Sequence, residues 1–275
     1  MTAGRTTTIA VPGARLAVEE SGPSDAVSAL LIHAGVTDRR SWSGLTEVLD
    51  PTIRSIRYDA RGYGATVTEE HDGWSPVADA RAVLDAAALD TAIVIGCSMG
   101  GRTAIDLALV SPQRVRALVL IAPAISGAPA PVLDEITTEL DRRGDEALDR
   151  GDLATVNRIE AELWLDGPGR TGRVGDGPRR LFLAMNGDAL AAGTPGTKAQ
   201  DAVAWDRLGE IRVPTLVLVG SLDLSHVRAA ARHAAATIPG AEFVELEDAA
   251  HLPHVEGHAA ALSAIAGFVN RLAQD

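Results

Sequence analysis

The sequence predicts an α/β fold: an eight-stranded, mostly parallel sheet with helices on both faces and a helical cap insertion. Short β-branched runs alternate with segments of helical periodicity along most of the 275 residues, as in strands joined by crossover helices. The central runs, such as Ile93-Val94-Ile95 and Leu118-Val119-Leu120-Ile121, are apolar without alternation, which is typical of strands buried on both faces. The alternation stops after about Ala128 and resumes at Val213.

The eight predicted strands can be placed in order along the chain. They are Thr6–Val11, Ala14–Glu20, Ser28–His33, Ile53–Tyr58, Ala92–Gly96, Arg116–Ala122, Thr215–Val219 and Glu242–Leu246. The first two flank Pro12-Gly13, a turn sequence, and are therefore predicted to form an antiparallel hairpin. The others are separated by longer segments, which favours parallel pairing.

Three helices of the predicted core have clear limits. Ser75-Pro76 supplies an N-cap and a first-turn proline for a helix that extends to about Ala87. A second helix is predicted over Met99–Val110, because the residue before Pro112 disfavours helical geometry. The last covers about Ala259–Leu272 and carries apolar residues at helical spacing.

The stretch between the sixth and seventh predicted strands has a different character. It contains two helical patterns, Val132–Arg142 and Leu153–Leu165, followed by a segment rich in Gly, Pro and Arg, Asp166–Arg180. Because the strand pattern resumes afterwards, we expect residues 1–127 and 209–275 to form the α/β core. Residues 128–208 are then a helical cap over one end of the sheet.

Composition excludes several classes of protein. With 46% hydrophobic and 23% charged residues, the chain has the composition of a soluble globular protein. Its net charge of −12 disfavours nucleic acid as a partner. The most apolar stretch, Ala117–Leu133, is interrupted by three prolines, and the N-terminus lacks the apolar core of a signal peptide. We therefore expect a cytoplasmic protein that does not bind membranes.

Cysteine and histidine content argues against a metal or disulfide framework. The single cysteine, Cys97, excludes an internal disulfide and a cysteine-based zinc site. His251, His254 and His258 have helix-like spacing, but Pro253 interrupts the helix that would align them. We expect no metal and no cofactor.

The strongest chemical motif is Gly96-Cys97-Ser98-Met99-Gly100, which lies between the fifth predicted strand and a helix. A serine at the centre of G-x-S-x-G occupies a strained strand-to-helix turn that exposes its hydroxyl at the sheet edge. The helix N-terminus beside it offers free N–H groups to a developing oxyanion. Cys97 precedes the apex and is expected to be buried beneath it.

A serine nucleophile needs a base and an acid that orients the base. Asp223 follows the seventh predicted strand and His251 follows the eighth, so both are expected at the same sheet edge as Ser98. Asp248 is a rival acid, but it lies only three positions before His251. We therefore predict a catalytic triad of Ser98, Asp223 and His251.

The oxyanion hole and the substrate contacts are assigned from neighbouring loops. The N–H of Met99 is one predicted donor, and Gly35, after the third strand, is the second because glycine permits a close backbone approach. Val36 is the alternative donor and a candidate substrate contact. Trp164 and Trp205 are expected either to line an apolar acyl pocket or to pack within the cap.

Taken together, the motifs resemble the α/β-hydrolase superfamily over essentially the whole chain. The matching pieces are His33-Ala34-Gly35 with Trp42, Tyr58-Asp59-Ala60-Arg61-Gly62-Tyr63-Gly64, Gly96-Cys97-Ser98-Met99-Gly100-Gly101, Asp223 and His251-Leu252-Pro253. Within the superfamily the chain is most similar to small capped members of the 3-oxoadipate enol-lactonase-like and carboxylesterase groups. One difference is Ala34, where many members carry glycine.

The resemblance implies a serine hydrolase that acts on a small carboxylic ester or lactone. Two alternatives stay open. The same triad serves C–C bond hydrolases of β-diketone substrates in similar capped proteins. A ligand-binding protein that has lost turnover is the third reading, which a complete triad disfavours.

Overall fold

A computed structural model of the chain describes residues 4–49 and 52–274. These residues form one sheet with the strand order β1-β2-β4-β3-β6-β7-β8-β9, and β5 pairs with β2 beside this path. The strands are β1 (Arg5–Val11), β2 (Ala14–Ser21), β3 (Val27–Ile32), β4 (Ile53–Tyr58), β5 (Val67–Thr68), β6 (Ala92–Cys97), β7 (Val115–Ile121), β8 (Thr215–Gly220) and β9 (Glu242–Leu246).

The mostly parallel sheet is confirmed. β2 pairs antiparallel with β1, β4 and β5. The other five pairs in the described residues are parallel: β3 with β4, β3 with β6, β6 with β7, β7 with β8, and β8 with β9. The eight predicted strands are present, and the structure adds the short strand β5. Two residues give no periodic signal, which explains why β5 is not evident in the sequence.

Helices cover both faces of this sheet. They are α1 (Ser43–Leu49), α2 (Pro76–Ala86), α3 (Met99–Val110), α4 (Glu135–Asp149), α5 (Leu153–Glu160), α6 (Asp176–Ala191), α7 (Ser225–Thr237), α8 (Pro253–Glu256) and α9 (Ala259–Gln274). A π-helical segment, Ala161–Asp166, follows α5, and Arg39–Trp42, Pro112–Arg114 and Trp205–Glu210 form 3₁₀ turns.

The strand side chains alternate between two apolar layers. Leu30 of β3 packs in the layer that contains α2, α3 and α7, whereas its neighbour Leu31 packs in the layer that contains α1 and α9. Every residue of the central strands β6 and β8 is buried. This double burial explains the continuous apolar runs in the sequence.

Local signals fix the ends of several helices. The side chain of Ser75 accepts a hydrogen bond from the Ala78 N–H, 2.9 Å away, and Pro76 occupies the first position of α2. α3 covers the predicted residues, Met99–Val110. α9 continues two residues beyond the predicted end at Leu272. The structure also shows α7, for which no helix was predicted.

Helices α4, α5 and α6 lie between β7 and β8, within the predicted cap. The segment rich in Gly, Pro and Arg, Asp166–Arg180, includes the start of α6, a helix that was not predicted. Gly177 and Pro178 fall in the first turn of that helix, where proline is tolerated because its missing N–H has no helical partner. Here proline marks a helix start. The division at residues 128 and 208 stays a prediction.

Among residues 4–49 and 52–274, no helix combines the length and apolar character needed to cross a bilayer.

Candidate active site

Ser98 lies at the turn between β6 and α3 with φ 51° and ψ −112°. Its backbone is held on both sides: its N–H donates to the Ile121 carbonyl (3.0 Å), and its carbonyl accepts from the N–H groups of Arg102 (3.0 Å) and Ala124 (3.1 Å). A positive φ at a residue with a Cβ costs on the order of 1–3 kcal/mol and persists only where its surroundings enforce it. β7 and α3 provide that enforcement.

Two glycines permit the close packing under this turn. A Cβ on Gly96 would overlap the backbone of Gly100, and a Cβ on Gly100 would overlap the carbonyl oxygen of Ile32 at the end of β3. The turn therefore fits against β3 only because both positions lack a side chain. This steric requirement explains the glycines of the G-x-S-x-G motif.

Asp223 and His251 meet at the same edge of the sheet. His251 Nδ1 lies 2.8 Å from Asp223 Oδ2, and both side chains are buried. Asp223 Oδ1 accepts a further hydrogen bond from the Leu224 N–H, 2.8 Å away. Because a carboxylate only accepts hydrogen bonds, the proton of neutral His251 lies on Nδ1, and Nε2 is left as a base.

The rival acid Asp248 is placed differently. It is exposed, has φ 57°, and its N–H donates to the Ser221 hydroxyl (3.1 Å). The carboxylate paired with His251 is that of Asp223.

Ser98 and His251 line one cavity of about 670 Å³. Within residues 4–49 and 52–274, no hydrogen bond joins the Ser98 hydroxyl to His251. Contacts between a nucleophile and its base are often long before substrate binds. The fold thus brings Ser98, Asp223 and His251 to one site. Ser98 and His251 both line the cavity there, without a hydrogen bond between them.

Two free N–H groups lie beside Ser98. Met99 is the first residue of α3, which has no side-chain cap. Gly35, in the loop after β3, lies against it, since a Cβ added to Gly35 would be 3.8 Å from Met99 Cβ. In the described part of the chain, neither N–H donates a hydrogen bond to a protein acceptor. Both are therefore available to an oxyanion.

His33 fixes the shape of the Gly35 loop. Its Nε2 accepts from the Ala60 N–H (3.0 Å), so its Nδ1 carries the proton that bonds the Ala34 carbonyl (2.8 Å). Burial lowers the pKa of His33, which keeps the ring neutral in these two bonds. The Tyr63 ring packs edge-on against it, with centroids 4.9 Å apart.

The predicted tryptophans both line the cavity. Trp164 projects from the π-helical segment onto the His251 ring, with centroids 4.7 Å apart, and π-helical turns are frequent at functional sites. Trp205 stacks on His233 at 3.9 Å. Val36 is half-buried against the core and is absent from the lining of this cavity in the described residues, so its contact with substrate stays a prediction.

Comparison with known proteins decides the family. A family model described as "Alpha/beta hydrolase family" matches residues 29–265, a span that covers most of the chain and all the candidate site residues. The chain belongs to the α/β-hydrolase family.

Three curated α/β-hydrolase relatives illustrate the range of named activities. A Bacillus subtilis protein provisionally named 2-succinyl-6-hydroxy-2,4-cyclohexadiene-1-carboxylate synthase is 28% identical, over 89% of this chain and 90% of its own. A 2-hydroxy-6-oxo-6-phenylhexa-2,4-dienoate hydrolase of Burkholderia cepacia is 26% identical, over 76% and 75%. The 3-oxoadipate enol-lactonase 1 of Acinetobacter baylyi is 25% identical, over 94% and 95%.

The sequence did not point to His226, which lines the cavity of this α/β-hydrolase beside His251. His226 lies in the first turn of α7, three positions after Asp223. Its Nδ1 is buried without a hydrogen-bond partner among the described residues, and burial lowers its pKa. Recognition of α7 would have placed this imidazole at the sheet edge.

Cys97 and His254 lie beneath the site. Cys97 is buried, and burial raises its pKa, so the thiol is neutral. His254 stacks on Trp42 with centroids 4.3 Å apart, and burial lowers its pKa to about 3. His258 instead contacts the Glu247 carbonyl at 3.0 Å. Within the described ranges no three potential metal ligands form a group, and the absence of a metal stays a prediction.

Proposed function

We propose that this chain is a serine hydrolase that cleaves a small carboxylic ester or lactone through an acyl-enzyme on Ser98. The observation that carries the proposal is the buried Asp223–His251 hydrogen bond of 2.8 Å, in which His251 lines the same cavity as Ser98. The enol-lactonase relative adds support for the substrate class. Residues 128–208 act as a cap that covers this site.

In the proposed reaction Ser98 Oγ attacks the carbonyl carbon while His251 Nε2 takes the serine proton. Asp223 orients the imidazole and stabilises it once it is charged. The N–H groups of Met99 and Gly35 hold the tetrahedral oxyanion. As the intermediate collapses, His251 gives its proton to the leaving alcohol. Water activated by His251 then releases the acid and restores Ser98.

Intact-mass labelling with a fluorophosphonate tests the proposal. We expect one adduct on the wild-type chain and none on Ser98→Ala, with thermal melts showing that both are folded. Ser225→Ala is the matched control, because Ser225 also lines the cavity and its loss should leave the adduct in place. A folded wild-type chain that forms no adduct would contradict the proposal and favour a non-catalytic ligand-binding protein.

A C–C bond hydrolase of a β-diketone is the second candidate, favoured by the named activity of the Burkholderia cepacia relative. It uses the same three residues. Steady-state kinetics on matched esters, lactones and ring-fission-type diketones separates the two. A higher kcat/KM on the diketones would favour the second candidate.

We also propose that the enzyme acts in the cytoplasm. Cys97 is a free, buried thiol, which fits a reducing compartment.

A further inference from the structure

The cavity beside Ser98 has an almost entirely apolar lining. Apart from Ser98 and His251, its polar side chains are Ser225 and His226. The remainder consists of alanine, proline, valine, isoleucine and tryptophan side chains from residues 122–132, the two tryptophans and α7. Across residues 4–49 and 52–274, no arginine or lysine contributes to this lining.

Three cationic side chains on neighbouring segments do not line this cavity. Arg228 of α7 pairs with Glu245 at 2.9 Å, and Arg102 of α3 lies 3.7 Å from Asp106. Lys198 lines a separate cavity of only about 30 Å³, which Met99 also lines. A carboxylate bound in the large cavity would therefore find no ion-pair partner.

The histidines do not supply the missing charge. Burial lowers the pKa of His226, and the charges of Asp223 and Asp141 only partly oppose this shift, so the imidazole is neutral at pH 7. His251 is already committed to Asp223 through Nδ1. His226 therefore adds no cation to the wall beside the Asp223–His251 pair.

We infer that the substrate is an uncharged ester or lactone with an apolar chain, and that the enzyme discriminates strongly against a carboxylate on that chain. The inference rests on the proposed function and narrows its substrate class. A carboxylate that enters this cavity loses hydration without gaining a partner, whereas methylene groups gain from burial. The printed names of the three curated relatives, by contrast, each contain a carboxylate: the product of the synthase, the dienoate of the hydrolase and the 3-oxoadipate of the lactonase.

A matched pair of esters tests the inference. 4-Nitrophenyl hexanoate and the mono-4-nitrophenyl ester of adipic acid have the same acyl length and differ in the terminal carboxylate. With wild-type enzyme at pH 7.5, and rates on Ser98→Ala subtracted, we expect kcat/KM to be at least about 100-fold higher for the hexanoate.

Rates within threefold of each other, or a preference for the adipate ester, would overturn the inference and leave the proposed function intact. Failure to cleave either ester would also overturn it. The fluorophosphonate adduct on Ser98 then decides whether the proposed function falls as well.

A charged side chain introduced into the cavity lining provides a second test of the inference. Ala229 is exposed on α7 and lines the cavity, so Ala229→Arg adds a cation there without burying it, and Ala229→Met adds similar length without charge. We expect the hexanoate-to-adipate ratio to shrink at least tenfold in the arginine variant and to persist in the methionine variant. The same ratio in both variants would overturn the explanation by charge.

Discussion

The two walls of the candidate cavity are built by different means. The sheet-edge wall, which we define as Ser98 and His251 with the Asp223 side chain hydrogen-bonded to His251, lies at the ends of β6, β8 and β9. It takes its geometry from a sheet whose central strands β6 and β8 are fully buried. The insertion wall, defined as Trp164, Trp205 and the apolar residues 124–132, follows β7 and depends on packing between side chains.

In the proposed reaction, this difference separates the groups that carry out the bond changes from the groups that select the substrate. A catalytic group must be held within about 0.5 Å of its productive position, which a strand end in a buried sheet can ensure. A wall of alanine, proline and tryptophan offers shape and apolar surface, which select a substrate without taking part in bond changes. Substitutions in the two walls should therefore have effects of different kinds.

The largest effect is expected from Asp223→Asn in the sheet-edge wall. The amide can no longer accept the His251 Nδ1 proton in the same way, so the imidazole loses its tautomer and its charge partner. We expect kcat/KM on the best ester to fall about 10⁴-fold with little change in thermal stability. Asp248→Asn is the control, since Asp248 is exposed and an asparagine tolerates its φ of 57°. Equal losses in both variants would remove Asp223 from the triad.

Gly100→Ala should damage the fold beneath that wall. Its new methyl group would overlap the carbonyl oxygens of Ile32 and His33 or force α3 away from β3. We expect a loss of about 3 kcal/mol or more in the free energy of unfolding, measured by denaturant titration. Gly267→Ala in α9 is the control, because a methyl group there meets no atom within 4 Å. It should stabilise the protein by about 0.5–1 kcal/mol.

The same contrast explains what could be predicted from sequence. Ser98, Asp223 and His251 follow buried apolar runs, and the ends of parallel strands share one edge, so their assembly can be anticipated. Helix α6 could not be predicted, because Gly177 and Pro178 in its first turn are residues typical of a loop. His226 was not predicted as a site residue, because the helix that carries it, α7, was not predicted. Lining contacts made by exposed alanines and prolines have no sequence pattern, since they depend on how the insertion packs.

Arg173 connects the segments that flank the two walls and tests whether the walls act separately. Its guanidinium donates to the carbonyls of Leu165 (2.8 Å) and Asp166 (2.6 Å) in the insertion. On the sheet-edge side it contacts the Asp248 carbonyl and Glu256 Oε2, each at 2.8 Å. Arg173→Ala removes the cationic partner of the buried Glu256 carboxylate, which keeps its hydrogen bond from the Ala250 N–H (2.9 Å), and we expect a loss of about 2 kcal/mol in unfolding free energy.

Hydrogen exchange locates the effect of that substitution. Faster exchange in both 161–174 and 248–257 would show that Arg173 couples the walls. Exchange changes confined to one of these segments would show that the walls are independent. Arg170→Ala is the control, because exposed Arg170 contacts only the Pro168 carbonyl, at 3.3 Å, among the described residues.

The last expected difference is a pH dependence of opposite sign in the two regions. On the sheet-edge side, burial lowers the pKa of His254 to about 3. The unfolded chain therefore binds a proton below about pH 6.5 that the folded chain excludes. The stabilising contribution is complete above pH 6.5 and is lost as the pH falls towards 3, by about 1.4 kcal/mol per pH unit. His254→Phe should remove this slope in denaturant titrations at pH 7 and pH 5, while His33 keeps its own slope in both proteins.

In the insertion, burial raises the pKa of Glu160, and the hydrogen bond from Asn186 (2.5 Å) only partly opposes the shift. A raised carboxyl pKa contributes stability below the unfolded value, and this is lost as the pH rises through the folded value. Lowering the pH from 7 to 4.5, the ordinary pKa of the group, should thus slow hydrogen exchange in α5, after correction for intrinsic rates, while it speeds exchange in 248–257. Glu160→Gln should abolish the first change and spare the second. Faster hydrogen exchange in both regions of the wild-type chain at low pH would contradict this prediction. The stability of the two walls would then depend on the same interactions, and the walls could not be treated as separate units.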